Sequence, residues 1–188
     1  MAFLGAKPTN VPLTSADIQD GTINTADIAD GAVTSVKTTG VGGANTPAFS
    51  AYAGSDQNNN TDNTWVKLAM NSEFYDTDSK YDVSNYRFTP TVAGKYIFGA
   101  DVYIDGNDTR DSVGLAFYKN GSKLFFVIQD VDNNTANSIT ATIDLDSDDY
   151  VELYGYADVA NSSVWAMNMD GTTSNNRCYW YGYKLIGA

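Results

Sequence analysis

Beyond residue 47, large apolar and polar residues alternate in short runs broken by Asn, Asp and Gly. That is the two-residue period of half-buried strands. It predicts strands over residues 49–53, 65–70, 86–88, 94–104, 112–119, 123–129, 137–143, 150–158, 163–169 and 178–186. Turn signals fall between them: Asp105-Gly106, Asn120-Gly121, Asp132-Asn-Asn134, Asp146-Ser-Asp-Asp149, Asn161-Ser-Ser163 and Asp170-Gly171. Within 94–104, Tyr96, Phe98 and Ala100 share one face, while Lys95, Gly99 and Asp101 share the other. About ten short strands in about 140 residues predict an all-β head, a two-sheet sandwich of jelly-roll type.

The residues before the head read differently. Phe3 and Leu4 are followed by Pro8 and Pro12, which forbid a helix or an inner strand, so residues 1–13 read as an extended docking arm. Thr14-Ser-Ala-Asp-Ile-Gln-Asp-Gly-Thr-Ile23 then aligns without a gap on Asn24-Thr-Ala-Asp-Ile-Ala-Asp-Gly-Ala-Val33. The aliphatics Ile18, Ile23, Ile28 and Val33 recur every five residues, a period that is neither helical nor that of a flat strand. One such chain has too thin an apolar line to fold alone, but several copies around an axis bury it, with Asp-Gly supplying a turn or bulge between short extended pieces. Residues 14–39 therefore read as an intertwined stalk in preference to a flexible polar linker, 40–47 as a Gly-rich joint and 48–188 as the head.

Charge narrows the function classes. Eleven Lys and Arg against 23 Asp and Glu leave a net charge of −12, which argues against nucleic acid and anionic membranes as partners. The absence of His removes the usual general base and zinc ligand. The single Cys178 allows no intramolecular disulfide and reads as a small buried hydrophobe. No apolar stretch is long enough to span a bilayer, and the first residues carry no readable signal peptide.

The head resembles the complement one-q globular-head family, relatives of the tumour-necrosis-factor jelly roll. The resemblance rests on Ala48-Phe49-Ser50-Ala51, on Asp76, Tyr81, Phe88 and Gly94 at family spacing, and on Gly94-Lys-Tyr96-Ile-Phe98. Lys119-Asn-Gly121, Asp149-x-Val151-x-Leu153 and Trp180-x-Gly182-Tyr183-x-Leu185 complete it. Met70 stands where an aromatic is expected, with Phe74 close by, and Ala100 replaces another. The resemblance implies a homotrimer without catalysis, with Phe49, Tyr81, Phe88, Gly94, Tyr96, Phe98, Gly182 and Tyr183 serving structure. The repeat, and the start Met1-Ala-Phe-Leu-Gly5, resemble virion proteins of bacteriophages.

The acidic groups Asp76, Asp78 and Asp82, Asp130 and Asp132, and Asp144, Asp146, Asp148 and Asp149 are the only candidates for calcium, and solvated turns are the better reading, so no cofactor is expected. Trp65, Trp165, Trp180, Tyr154, Tyr156 and Tyr181 offer stacking faces for a host-surface glycan, but core or trimer packing is preferred. Receptor contact is expected at loops such as 54–63 or 105–110. The expected protein is a trimeric capsid decoration (cement) protein or short head fibre on the virion surface. Phe3, Leu4, Pro8 and Pro12 dock it to a capsid or tail protein, and Ile18, Ile23, Ile28 and Val33 form its stalk core. A host-adsorbing tail fibre is the alternative. A soluble lectin-like module and a glycan depolymerase fit less well.

Overall fold

The computed structural model describes residues 14, 16, 18–33, 45–105, 110–131, 135–160, 162–168 and 177–185. The chain divides into two compact units, Met1–Gly42 and Gly43–Ala188.

In the first unit each repeat is built from turns. Gln19 O accepts the Thr22 amide at 3.1 Å, and Ala29 O accepts the Ala32 amide at 2.9 Å. Gly21 and Gly31 take φ of 79° and 75° at the third turn position, where a side chain is strained. Between these turns Thr25–Asp27 forms a 3-10 turn, not the extended piece expected. Its cause is local: the Asn24 amide donates to Asp27 Oδ2 at 2.9 Å, and the Asp27 amide returns to Asn24 O. Alternating turns of two kinds thus explain an aliphatic period of five.

The second unit is an antiparallel two-sheet sandwich with thirteen strands among the described residues. They are β1 Ala48–Tyr52, β2 Gln57–Thr61, β3 Val66–Lys67, β4 Ser72–Asp76, β5 Tyr81–Asp82, β6 Arg87–Phe88, β7 Gly94–Asp105, β8 Arg110–Lys119, β9 Ser122–Asp130, β10 Thr135–Leu145, β11 Val151–Val159, β12 Val164–Met167 and β13 Tyr179–Lys184. One sheet runs β2-β12-β7-β13-β1-β4, with β10 also paired to β7; the other runs β5-β6-β11-β8-β9, with β3 on β11. Strands β2, β4 and β5 were not expected. β2 lies inside the presumed contact loop 54–63, where Gln57 and Asn60 bond to each other and Gln57 also bonds the backbone of Lys67 and Ala69.

Aromatic rings fill the space between the sheets. Phe49 stacks on Tyr81 at 4.9 Å and on Phe88 at 4.8 Å, and meets Trp180 edge-on at 4.7 Å. Phe98, Trp180 and Phe117 form a mutually packed triangle of rings. Such pairs add roughly 0.5–1.5 kcal/mol each beyond area burial. Tyr81 is more than filler. Its hydroxyl donates to Met70 O at 2.7 Å and accepts from Trp180 Nε1 at 3.3 Å, while its amide donates to Asp76 Oδ2 at 2.8 Å. Gly182 is required by contact: a Cβ there would lie 2.5 Å from Phe98 Cδ1 and 2.9 Å from Phe49 Cε1.

Candidate assembly surfaces

The residues singled out from the sequence separate into groups. Phe49, Tyr81, Phe88, Tyr96 and Phe98 are buried, as are Met70 and Ala100. Tyr96 also donates its hydroxyl to Val92 O at 2.6 Å, and burial pushes that hydroxyl's pKa up to about 12. Gly94 holds φ at 146°, Gly182 is buried and Tyr183 is half-buried. Ile18, Ile23, Ile28 and Val33 are all exposed, and the last three line one shallow concavity with Thr25 and Ala29. Phe3, Leu4, Pro8 and Pro12 lie outside the described residues.

Of the acidic candidates, Asp130 and Asp144 lie in strands, Asp132 lies outside the described residues, and Asp76, Asp82 and Asp149 bond within or beside turns. Asp76 takes the amides of Tyr81 and Asp78. Asp82 accepts from Ser84 and Asn85, which holds its carboxyl well below the usual range. Burial alone would raise the Asp149 carboxyl. Hydrogen bonds from Lys119, the Asp146 amide and Asn120 outweigh burial and lower it. No group of three or more acidic or Cys side chains among the described residues is placed to hold a metal ion.

Of the candidate stacking residues, Trp165 and Trp180 are core, whereas Trp65, Tyr154, Tyr156 and Tyr181 are half-buried and outward. Trp65 packs beside Tyr156 and Phe126, and Lys123 Nζ sits 4.7 Å from both the Trp65 and Phe126 ring centres. Cys178 is buried just before β13, and burial pushes its thiol up to about 11.

Two surfaces of the head carry apolar or aromatic side chains that lie outside its core. The first is β9, which has β8 on one side and, among the described residues, no strand on the other. Leu124, Phe125, Phe126 and Ile128 are 43–56% exposed. Phe125 and Val127 pair with the core residues Phe117 and Leu115, so they face the interior at an open side of the sandwich; Phe126 and Ile128 face outward across from Ala116 and Gly114. Free, uncharged apolar edges of this kind promote pairing. No charge interrupts β9 between Lys123 and Asp130, so contact here keeps like charges of a net −12 chain apart.

The second is the outer face of the first sheet. Trp180 and Gly182 point into the core, so Tyr179, Tyr181 and Tyr183 point away from it. Tyr52 lies across from Tyr179, and Ile97 from Tyr183. The Tyr181 ring lies across Gly99, whose absent Cβ would be 2.4 Å from Tyr181 Cζ. Tyrosines with buried bodies and polar tips suit a wet protein interface. The sequence shows β9 as an apolar run, but its pattern alone does not tell an exposed edge from a buried strand.

Comparison with known proteins fits this geometry. The C1q domain model matches residues 48–170. A phage-like element PBSX protein, XkdV, of Bacillus subtilis (strain 168) is 31% identical over 100 residues, covering 48% of this chain and 15% of that protein. The chain thus spans a small part of that relative. Among solved structures, the globular domain of zebrafish complement 1qA is 15% identical with a TM-score of 0.50, over 74% of this chain and 98% of that one. Eiger TNF from S. frugiperda is 12% identical with a TM-score of 0.55, over 75% and 93%. Murine APRIL is 13% identical with a TM-score of 0.52, over 73% and 98%.

Proposed function

The chain belongs to the C1q domain family, and on that premise we propose that it is a non-catalytic, trimeric structural protein of a bacteriophage-type particle. The observation that carries the assembly part is the apolar edge of β9, which no strand covers among the described residues. β9 and the tyrosine face are different patches, so an edge-to-face contact is heterologous, the type that closes into a ring of three when each copy is turned by a third of a circle. Three copies place three repeats side by side and give Ile18, Ile23, Ile28 and Val33 an apolar partner each lacks in one chain. The particle assignment is supported by the region shared with the phage-like element protein.

Within this reading residues 1–13 dock the trimer to a capsid or tail protein, 14–39 form the stalk, 40–47 the joint and 48–188 the head. Phe3, Leu4, Pro8 and Pro12 make the docking contact. The shortness of the stalk, residues 14–39, favours a capsid decoration or short head fibre on the virion surface. The half-buried Trp65, Tyr154 and Tyr156 leave a face for weak contact with host-surface glycan. No cofactor takes part.

Antibody-gold labelling of intact particles tests the location. Gold over the heads is the expected result. Gold confined to tails would make the protein an adsorption fibre, and unlabelled particles containing no copy of it would overturn the virion reading. Deleting residues 1–12 is expected to leave a folded trimer that no longer binds particles.

A further inference from the structure

The turn between β8 and β9 is the chain's single Asn-Gly pair, Asn120-Gly121. Both residues have positive φ, 52° and 76°, as a two-residue type I′ hairpin turn requires. Asn-Gly is also the pair most open to self-modification, because glycine puts no Cβ beside its own amide nitrogen. In that reaction the Gly121 nitrogen bonds to Asn120 Cγ, and the Cγ–Nδ2 bond breaks. The amide proton of Gly121 goes to the leaving nitrogen, which departs as ammonia, and a cyclic imide remains. Water then opens the imide at either carbonyl to give aspartate or isoaspartate. Water enters, ammonia leaves, and a neutral side chain becomes a carboxylate.

Here the Asn120 carboxamide is held at both ends. Nδ2 donates to Asp149 Oδ1 at 2.6 Å, and Oδ1 accepts the Tyr150 amide at 2.9 Å. The Asn120 amide in turn donates to Tyr150 O at 3.0 Å. Asp149 is itself fixed, with its other oxygen taking Lys119 Nζ at 2.7 Å and the Asp146 amide at 2.7 Å. Both anchors of the carboxamide thus lie on residues 149–150, outside the two-residue turn itself. The leaving nitrogen is engaged by a carboxylate.

We propose that Asn120 is a latent deamidation site held shut by Asp149, so that Asp149 sets the chemical lifetime of the hairpin that carries the β9 edge. Once converted, residue 120 presents a carboxylate where Asp149 now receives a hydrogen bond, and the two repel. The turn then loses its side-chain bond to Asp149, and the Asn120 amide bond to Tyr150 O and the Lys119–Asp149 ion pair are left to tie this end of the hairpin to residues 149–150. The inference concerns the head's own chemistry and stands whether or not the chain trimerises.

The test follows isoaspartate and mass gain at Asn120 by peptide mass spectrometry, using the full chain incubated in mildly alkaline buffer. Native protein is expected to convert far more slowly than the same protein in concentrated urea. Asp149→Ala is expected to speed native conversion by roughly 10- to 100-fold, the weight of one hydrogen bond to a charged group. Asp149→Asn, which keeps an acceptor but no charge, falls between. Native wild-type protein converting as fast as unfolded chain overturns the proposal, as does a folded Asp149→Ala chain converting no faster than wild type. If the alanine variant does not fold, Asp149→Asn decides: faster conversion than wild type supports the guard, and an equal rate rejects it.

Discussion

Replacing Gly182 by Ala probes the head where its two sheets meet. The added Cβ would lie 2.5 and 2.6 Å from two atoms of the Phe98 ring and 2.9 Å from Phe49. Neither ring can step aside freely. Phe49 is stacked on Tyr81 and Phe88, and Phe98 is enclosed by Trp180, Phe117 and Phe88. Overpacking a tight core typically costs roughly 1–3 kcal/mol, and the upper end applies with both neighbours pinned. For a domain of this size that corresponds to a fall in melting temperature of roughly 4–12 °C. The assay is urea unfolding of the full chain at fixed protein concentration, because assembly makes stability concentration-dependent. A cycle with Phe98→Leu sharpens it: the smaller side chain leaves room for the methyl, so the double variant should be less destabilised than the sum of the singles. A Gly182→Ala chain within about 0.5 kcal/mol of wild type, or strict additivity with Phe98→Leu, would refute the reasoning.

Other outcomes follow from the same geometry. Tyr81→Phe removes a hydroxyl that both donates to Met70 O and accepts from Trp180, and should cost roughly 1–3 kcal/mol in the same assay. Leu124→Asp with Phe126→Asp changes side chains already exposed in one chain, so monomer folding should survive by circular dichroism while the sedimenting mass falls. The Asp149 carboxyl is held below its unfolded pKa, so its contribution is complete above the unfolded value near 4 and is lost as pH falls through the lower folded value. Asp149→Asn should therefore flatten the acid limb of stability against pH, measured by urea midpoints across that range.

How far the sequence discloses the molecule varies by element. β7, β8 and β11 alternate cleanly because one face packs on the other sheet and the other face does not, and the Asn120-Gly121 turn follows from backbone chemistry alone. β2 was hidden because Gln57-Asn-Asn-Asn-Thr61 has no apolar alternation. Its pairing with β12 and the amide bonds of Gln57 and Asn60 hold it instead. β4 pairs with β1 through a register shift and leaves Phe74 and Tyr75 exposed, so its hydrophobic residues mark no core face. In the repeat, Asn24-Thr-Ala-Asp27 already carried a capping pattern, the signal that could have foretold the 3-10 turn. The exposure of β9 was not legible, because an uninterrupted apolar run looks the same whether its cover comes from its own sheet or from a second copy.

Sedimentation equilibrium of the full chain tests the assembly claim most directly. The account predicts a single species at three times the 20.3 kDa chain mass. A species at 20.3 kDa, persisting at high protein concentration, would contradict it.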